Sequence, residues 1–445
     1  MQWLKPDAVL VDGVLQQGVS VLLTSTDGTG RILEVGNPRT HDGADVLELP
    51  QRVLLPGFVN AHSHAFQRGL RGWVQHGSGE DTFWTWREAM YALANRLDPE
   101  GIEAVATLAF AEMLRAGFTT VGEFHYLHHQ ADGTPYADPD ELAHRVVAAA
   151  RKVGIRIVLL RVAYARAGFG LPSNPRQARF IDASPDDALA AVERLAARGV
   201  AVGLAPHSVR ACPESWLRAF ARSSLPMHAH VDEQPAEIEE CLAEYGRRPL
   251  QVFADAGLLG ARFTAVHLTH PDDSELALLN GSGATVCVCP TTELDLGDGF
   301  FPAWKVSGPV CIGTDSHASI DPFQELRSLE WHSRALLGRR NITPHDGVDG
   351  LAAALLVKGT EVGARSLGVE SGRIAPGMGA DLIAIDTSRM EFGASRLLPA
   401  LVFNGSPAAV RDVWVGGRHV VKDGRVPGGE SIVSEAERAI RRAAR

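Results

Sequence analysis

Through the middle of the chain, short runs rich in β-branched and other apolar residues alternate with longer stretches of helical spacing. The strand-like runs lie near 53–62, 118–124, 155–163, 200–207, 225–231, 263–268, 284–289 and 309–315. Between them, stretches such as 103–114 and 186–197 repeat apolar residues every three to four positions, which gives a helix one buried face. Gly117, Gly154, Gly199 and Gly257 fall where these helices should end. Such alternation predicts a parallel sheet, because parallel neighbours need a long crossover and a helix supplies it. Eight runs suit a closed (β/α)8 barrel of the TIM type better than an open doubly wound sheet.

The two ends read differently. Residues 1–50 and 372–426 alternate apolar and polar positions between turn dipeptides, as at 9–15, 30–35, 381–385 and 412–421. Neither end has enough strands for a stable sheet alone. They are expected to pair into one small β-sandwich domain, 1–52 plus 372–445, beside a barrel of 53–371. There is no internal repeat and no low-complexity linker.

Composition narrows the function. With 45% hydrophobic and 22% charged residues in 445, the chain can bury a large core. A formal net charge of −10 argues against a nucleic-acid partner or an anionic membrane surface. An anionic substrate must then be held by a few local cations. No apolar run reaches the ~18–20 residues that span a bilayer, and the first residues lack a signal-peptide layout. The five cysteines, Cys212, Cys241, Cys287, Cys289 and Cys311, form no paired framework. Their odd count suits a reducing compartment, and a cytoplasmic location is expected. Cys287 and Cys289, two apart in an apolar run, read as buried strand positions, not as a metal pair.

The chemistry gathers at the predicted strand ends. Asn60-Ala-His62-Ser-His64 closes the first strand, and alternation puts His62 and His64 on one side of it. A barrel gathers the C-terminal ends of its strands into one mouth, so two imidazoles there make a chelating pair. Other strand ends add His207 and Arg210 (fourth), His228, His230, Asp232 and Glu233 (fifth), His267 and His270 (sixth), and Asp315 and His317 (eighth). A run of chance histidines would not track the strand ends, so these positions predict a metal site.

At these residues the chain resembles the amidohydrolase superfamily over nearly its whole length. The matching motifs are Pro56-Gly-Phe-Val-Asn-Ala-His-Ser-His64, His230, His267, Asp315 and Ile374-Ala-Pro-Gly-Met-Gly-Ala-Asp-Leu382. Dinuclear members carry a bridging lysine on strand four, and here that strand offers His207 and Arg210 instead. The resemblance is therefore to mononuclear deaminases, and it implies one divalent metal on His62, His64, His230 and Asp315. Zinc is expected from the ligand type, and ferrous iron suits the same set. Glu233, three residues beyond His230, would carry a proton to the leaving nitrogen. Asp315, helped by His267, would take one from the attacking water. His267, at the strand end, is preferred to His270, and His228 is read as supporting His230 from behind.

Within that group the chain is similar to the formimidoylglutamate deiminases of histidine degradation. The similarity lies in residues 62–72 and 83–91, in Glu123-Phe-His-Tyr126, in 292–299 and in Thr314-Asp-Ser-His317. It implies a small dicarboxylate substrate, a pocket lined by Gln67, Arg87, Tyr126, His207 and Arg210, and a homodimer. Arg87 and Arg210 would each present a planar fork to a carboxylate. The plainer reading of Arg87 is a surface arginine stacked on Trp84 or Trp86. Two rivals remain: a superfamily deaminase for aminopurines or cytosine, which needs a flat aromatic slot, and a non-catalytic scaffold, which should have lost ligands.

Overall fold

The computed structural model describes residues 1–24, 28–37, 43–75, 82–347, 349–389 and 396–444. Eight strands form the central sheet: β1 (Phe58–Ser63), β2 (Phe118–His125), β3 (Arg156–Ala163), β4 (Val202–Pro206), β5 (Met227–Val231), β6 (Phe263–His267), β7 (Thr285–Val288) and β8 (Val310–Ile312). Each pairs in parallel with the next in sequence order. The sheet closes on itself through a parallel bridge between Ser63 and Asp315. There the Thr314 and Asp315 N–H groups donate to the His62 carbonyl at 3.1 and 3.0 Å, and His64 N–H donates to the Asp315 carbonyl at 3.0 Å. This is the expected barrel, and the seam that closes it runs through three of the residues expected to bind metal.

The helices begin and end where local chemistry directs. Helix Pro99–Ala116 starts with the Asp98 carboxylate accepting from Gly101 N–H and ends at Gly117, whose φ of 99° only glycine adopts freely. Gly154, at φ 87°, ends Glu141–Val153 in the same way. The short helix Glu361–Ser366 plugs the far end of the barrel, so close to β1 that a Cβ on Gly363 would lie 3.0 Å from that of Val59. No helix among the described residues is long and apolar enough to cross a membrane.

The two ends of the chain meet in a second sheet. Gln2–Val11 pairs in parallel with Asp45–Pro56, which pairs antiparallel with Leu382–Asp386, and that with Val410–Val415. One face, with Leu4, Val9, Leu54, Leu382 and Trp414, makes a core of its own. The other, with Leu10, Val53, Leu55 and Ile383, packs into the barrel's main core. The expected strand at 53–62 is thus two strands in different sheets. They part at Gly57, whose N–H donates to the Asp381 carbonyl and where a Cβ would lie 2.2 Å from the Thr119 side chain. Both segments are apolar, so composition could not show the break.

Candidate active site

Four side chains converge at the mouth of the barrel. His62 Nε2 lies 3.1 Å from His64 Nε2 and 3.2 Å from His230 Nε2, while Asp315 Oδ1 lies 3.1 Å from His64 Nε2 and 3.5 Å from His62 Nε2. His64 Nδ1 donates to the Phe124 carbonyl and His230 Nδ1 to the His207 carbonyl, both at 3.0 Å. A carbonyl can only accept, so these Nδ1 atoms carry the hydrogen and the Nε2 atoms turn bare lone pairs on one another. All four residues are buried, and lone pairs packed in this way call for a cation between them. Ligand bonds of about 2.0–2.1 Å in a tetrahedron would separate the donor atoms by roughly 3.3–3.4 Å, close to the spacing found. The donor set therefore fits a divalent metal.

The electrostatics agree. Burial pushes His62 down to about 3 and, with the neighbouring imidazoles, His230 well below the usual histidine range, so both are neutral ligands. Burial works against a charged Asp315, but the close approach of the His62 and His64 rings outweighs it and holds the carboxylate well below its ordinary value. The backbone is bent here as well. Asp232, His267, Leu268 and Asp315 have φ of 50°, 69°, 50° and 44°, a region that non-glycine residues seldom occupy and that clusters at functional sites.

His267 stands beside this cluster. Its Nε2 is 3.7 Å from Glu233 Oε1 and 3.8 Å from Asp315 Oδ2, and its Nδ1 is 3.2 Å from Glu293 Oε1. Burial disfavours its charge, but the three surrounding carboxylates raise it to about 10. His270, the competing candidate, is half-buried, and its ring lies against Gly299, away from the cluster. His228 corrects the expectation: it does not back His230 but donates from Nε2 to the Ser366 carbonyl at 3.0 Å, at the plugged end of the barrel. Alternation points both histidines inward, and the two-residue offset puts His228 a layer deeper. Cys287 is a fully buried residue of β7, as expected, whereas Cys289, equally buried, lies just past the strand's end and caps the helix that follows.

Gln67, Arg87, Tyr126, His207 and Arg210 line one narrow pocket above the cluster, which opens to solvent and has a cavity volume of about 50 Å³. Gln67 Nε2 donates to Tyr126 Oη at 2.8 Å, and its Oε1 is buried without a partner among the described residues. Arg210 is 5% exposed, and its Nε and Nη1 are likewise unpartnered. Arg87 combines its two readings: it lines the pocket while its guanidinium lies 4.4 Å from the Trp84 ring centre. The sequence reading missed Tyr164, Phe180 and Glu293. Tyr164 and Phe180 complete the wall with Tyr91, and Glu293 meets His267 from the helix after β7. For Tyr91, its place one helical turn after Arg87 on helix Phe83–Arg96 is the signal that could have found it.

The sequence profile of the amidohydrolase family matches residues 53–420. The chain is 41% identical over 421 residues to the formimidoylglutamate deiminase of Pseudomonas aeruginosa, covering 91% of this chain and 92% of that one. Among solved structures, an amidohydrolase from Brucella melitensis superposes with a TM-score of 0.90 at 33% identity, covering all of both chains. An adenosine deaminase from Xanthomonas campestris with bound zinc superposes with a TM-score of 0.82 at 25% identity, covering 100% of this chain and 98% of that one.

Proposed function

This chain belongs to the amidohydrolase family and is a hydrolase of carbon–nitrogen bonds, and we propose that it converts N-formimidoyl-L-glutamate and water to N-formyl-L-glutamate and ammonia. The observation that carries this reading is a pair of arginines, Arg87 and Arg210, in the wall of a pocket that leads down to His64, His230 and Asp315. Among the described residues neither arginine has a carboxylate within ion-pair reach, so both are free to grip those of a substrate. An aminopurine offers them no carboxylate.

In this reading His62, His64, His230 and Asp315 hold one divalent metal, with zinc proposed. The metal, when bound, makes water a nucleophile near neutral pH by lowering its pKa to about 7. Asp315 takes the proton of the attacking water, and His267, close to its second oxygen, shares that charge. Attack on the formimidoyl carbon leaves a tetrahedral adduct. The terminal nitrogen must gain both hydrogens of the water, the one Asp315 took and the one on the adduct's hydroxyl as the carbonyl re-forms; Glu233 relays them, so that ammonia departs and not an amide anion. The unpartnered Gln67 Oε1 is suited to accept an N–H of the formimidoyl group, which orients it below the arginines.

The test is ammonia release from a panel of formimidoyl amino acids and aminopurines with the metal-loaded enzyme. The proposal expects formimidoylglutamate to have the highest kcat/KM. A higher value for any aminopurine overturns it and leaves the family assignment intact.

A further inference from the structure

Tyr91 and Tyr164 come from different elements, helix Phe83–Arg96 and the residue after β3, yet their hydroxyls share one partner. Gln177, on the 3-10 helix Pro175–Phe180 and 1% exposed, places its Nε2 3.0 Å from both hydroxyl oxygens. An amide nitrogen has two hydrogens and no lone pair to give, so both hydroxyls are acceptors here. Each keeps its own hydrogen. Even where Tyr164 donates to Tyr91, one hydroxyl hydrogen is left without an acceptor among the described residues. The reversed amide would accept from both hydroxyls but leave two N–H groups unpaired in place of the one carbonyl that lacks a partner now.

The surroundings say what the spare hydrogen is for. Both tyrosines are buried and line the pocket, and Tyr164 feels the charges of Arg210 and Arg87. The unpartnered Nε and Nη1 of Arg210 join the same wall. Tyr164 packs on His207 at 4.7 Å between ring centres, and His207 packs on His230 at 4.7 Å, so this wall stands one ring outward from the metal-binding cluster. A cation and hydroxyl donors facing an open pocket, with no acceptor of their own, match a carboxylate.

We propose that Tyr91, Tyr164 and Gln177, with Arg210, form a carboxylate subsite in which Gln177 turns tyrosine hydroxyl hydrogen toward the ligand. This rests on the pocket being the substrate site. Gln177 touches no ligand and is a positioning residue. Tyr91 and Tyr164 supply donors, and the subsite selects substrates that carry an acid group beyond the reacting carbon.

The experiment measures glutarate binding by calorimetry to the metal-loaded wild type and to Tyr91→Phe, Tyr164→Phe, Gln177→Met and Gln177→Glu, with formimidoylglutamate turnover assayed in parallel. Hydrogen bonds to a charged group predict about a 10-fold weaker Kd for loss of the donating hydroxyl. Gln177→Glu weakens binding more than Gln177→Met, because a carboxylate draws both hydroxyl hydrogens back and adds a like charge. The same order in KM, with kcat nearly constant, separates positioning from loss of structure. Wild-type glutarate binding that survives both phenylalanine variants overturns the subsite, as does a wild type that does not bind glutarate. If Gln177→Glu fails to fold, the phenylalanine variants decide alone, since each removes one oxygen. A wild type without formimidoylglutamate turnover, whose tyrosine variants still lose glutarate, refutes the proposed substrate and supports the subsite.

Discussion

Replacing Arg210 with Met keeps most of the buried stem and removes only the guanidinium. The side chain is 5% exposed, so what it loses is electrostatic contact inside a site with little water. Two charge-assisted hydrogen bonds from its fork, at ~1.5–3 kcal/mol each, make about 3–5 kcal/mol once partial compensation is allowed. At 1.4 kcal/mol per factor of ten this is a fall of about 10²–10⁴-fold in kcat/KM. The loss falls mainly on KM, because the bound carboxylate lies away from the reacting carbon and is gripped alike in ground and transition states. The fold should survive. Glu237, which loses a neighbouring cation, is already raised to about 7 by burial and can take up a proton. The assay is steady-state ammonia release at full metal loading, with Arg87→Met in parallel and formimidoylglycine as a second substrate. Formimidoylglycine lacks the distal carboxylate, so one of the two substitutions should lose its effect on it. An unchanged kcat/KM for Arg210→Met, or equal losses for both variants on both substrates, refutes the two-fork reasoning.

Purified enzyme should carry a single equivalent of divalent metal by elemental analysis, and His62→Ala should lose both metal and turnover; two equivalents, both needed for activity, would contradict the ligand set. Glu233→Gln should retain the metal but lower kcat by ~10²–10⁴-fold, the usual weight of a general acid–base group. Glu237→Gln should flatten the pH dependence of stability in urea titrations. Because burial raises the Glu237 carboxyl to about 7, its contribution is full below the ordinary glutamate range and is lost as pH rises through about 7. Gly313→Ala should destabilise the fold by ~1–3 kcal/mol and weaken metal binding, because its Cβ would lie 2.8 Å from both Cβ and O of His62.

The candidate metal corner was legible because two periodicities coincide there. A strand repeats every two residues and a barrel gathers its strand ends, so the strand-end histidines and Asp315 could be placed at one mouth without coordinates, and the family resemblance singled out His62, His64, His230 and Asp315 among them. They converge at a seam whose closing hydrogen bonds involve His62, His64 and Asp315. Arg87 and Arg210 were picked out by the resemblance to the formimidoylglutamate deiminases, and the need of a dicarboxylate for local cations agrees with it. That neither has a carboxylate within ion-pair reach among the described residues is a tertiary fact, which no local pattern could show.

Other features had no sequence signal to read. The division at Gly57 is set by pairing partners on either side of it, and the apolar run Val53–Val59 reads straight through it. His228 and His230 share a strand face, and only depth in the barrel separates a residue bonded to Ser366 from one in the cluster. Glu293 reaches His267 across 26 positions of chain, and Gln177 joins Tyr91 and Tyr164 across 86 and 13. Pairs like these follow from the path of loops over the barrel mouth, where no short-range repeat fixes direction. The chain by itself determined which residue types stand at the strand ends. The closed barrel decided which of them face one another, because hydrogen bonds and charge interactions depend on distances that only the packed fold sets.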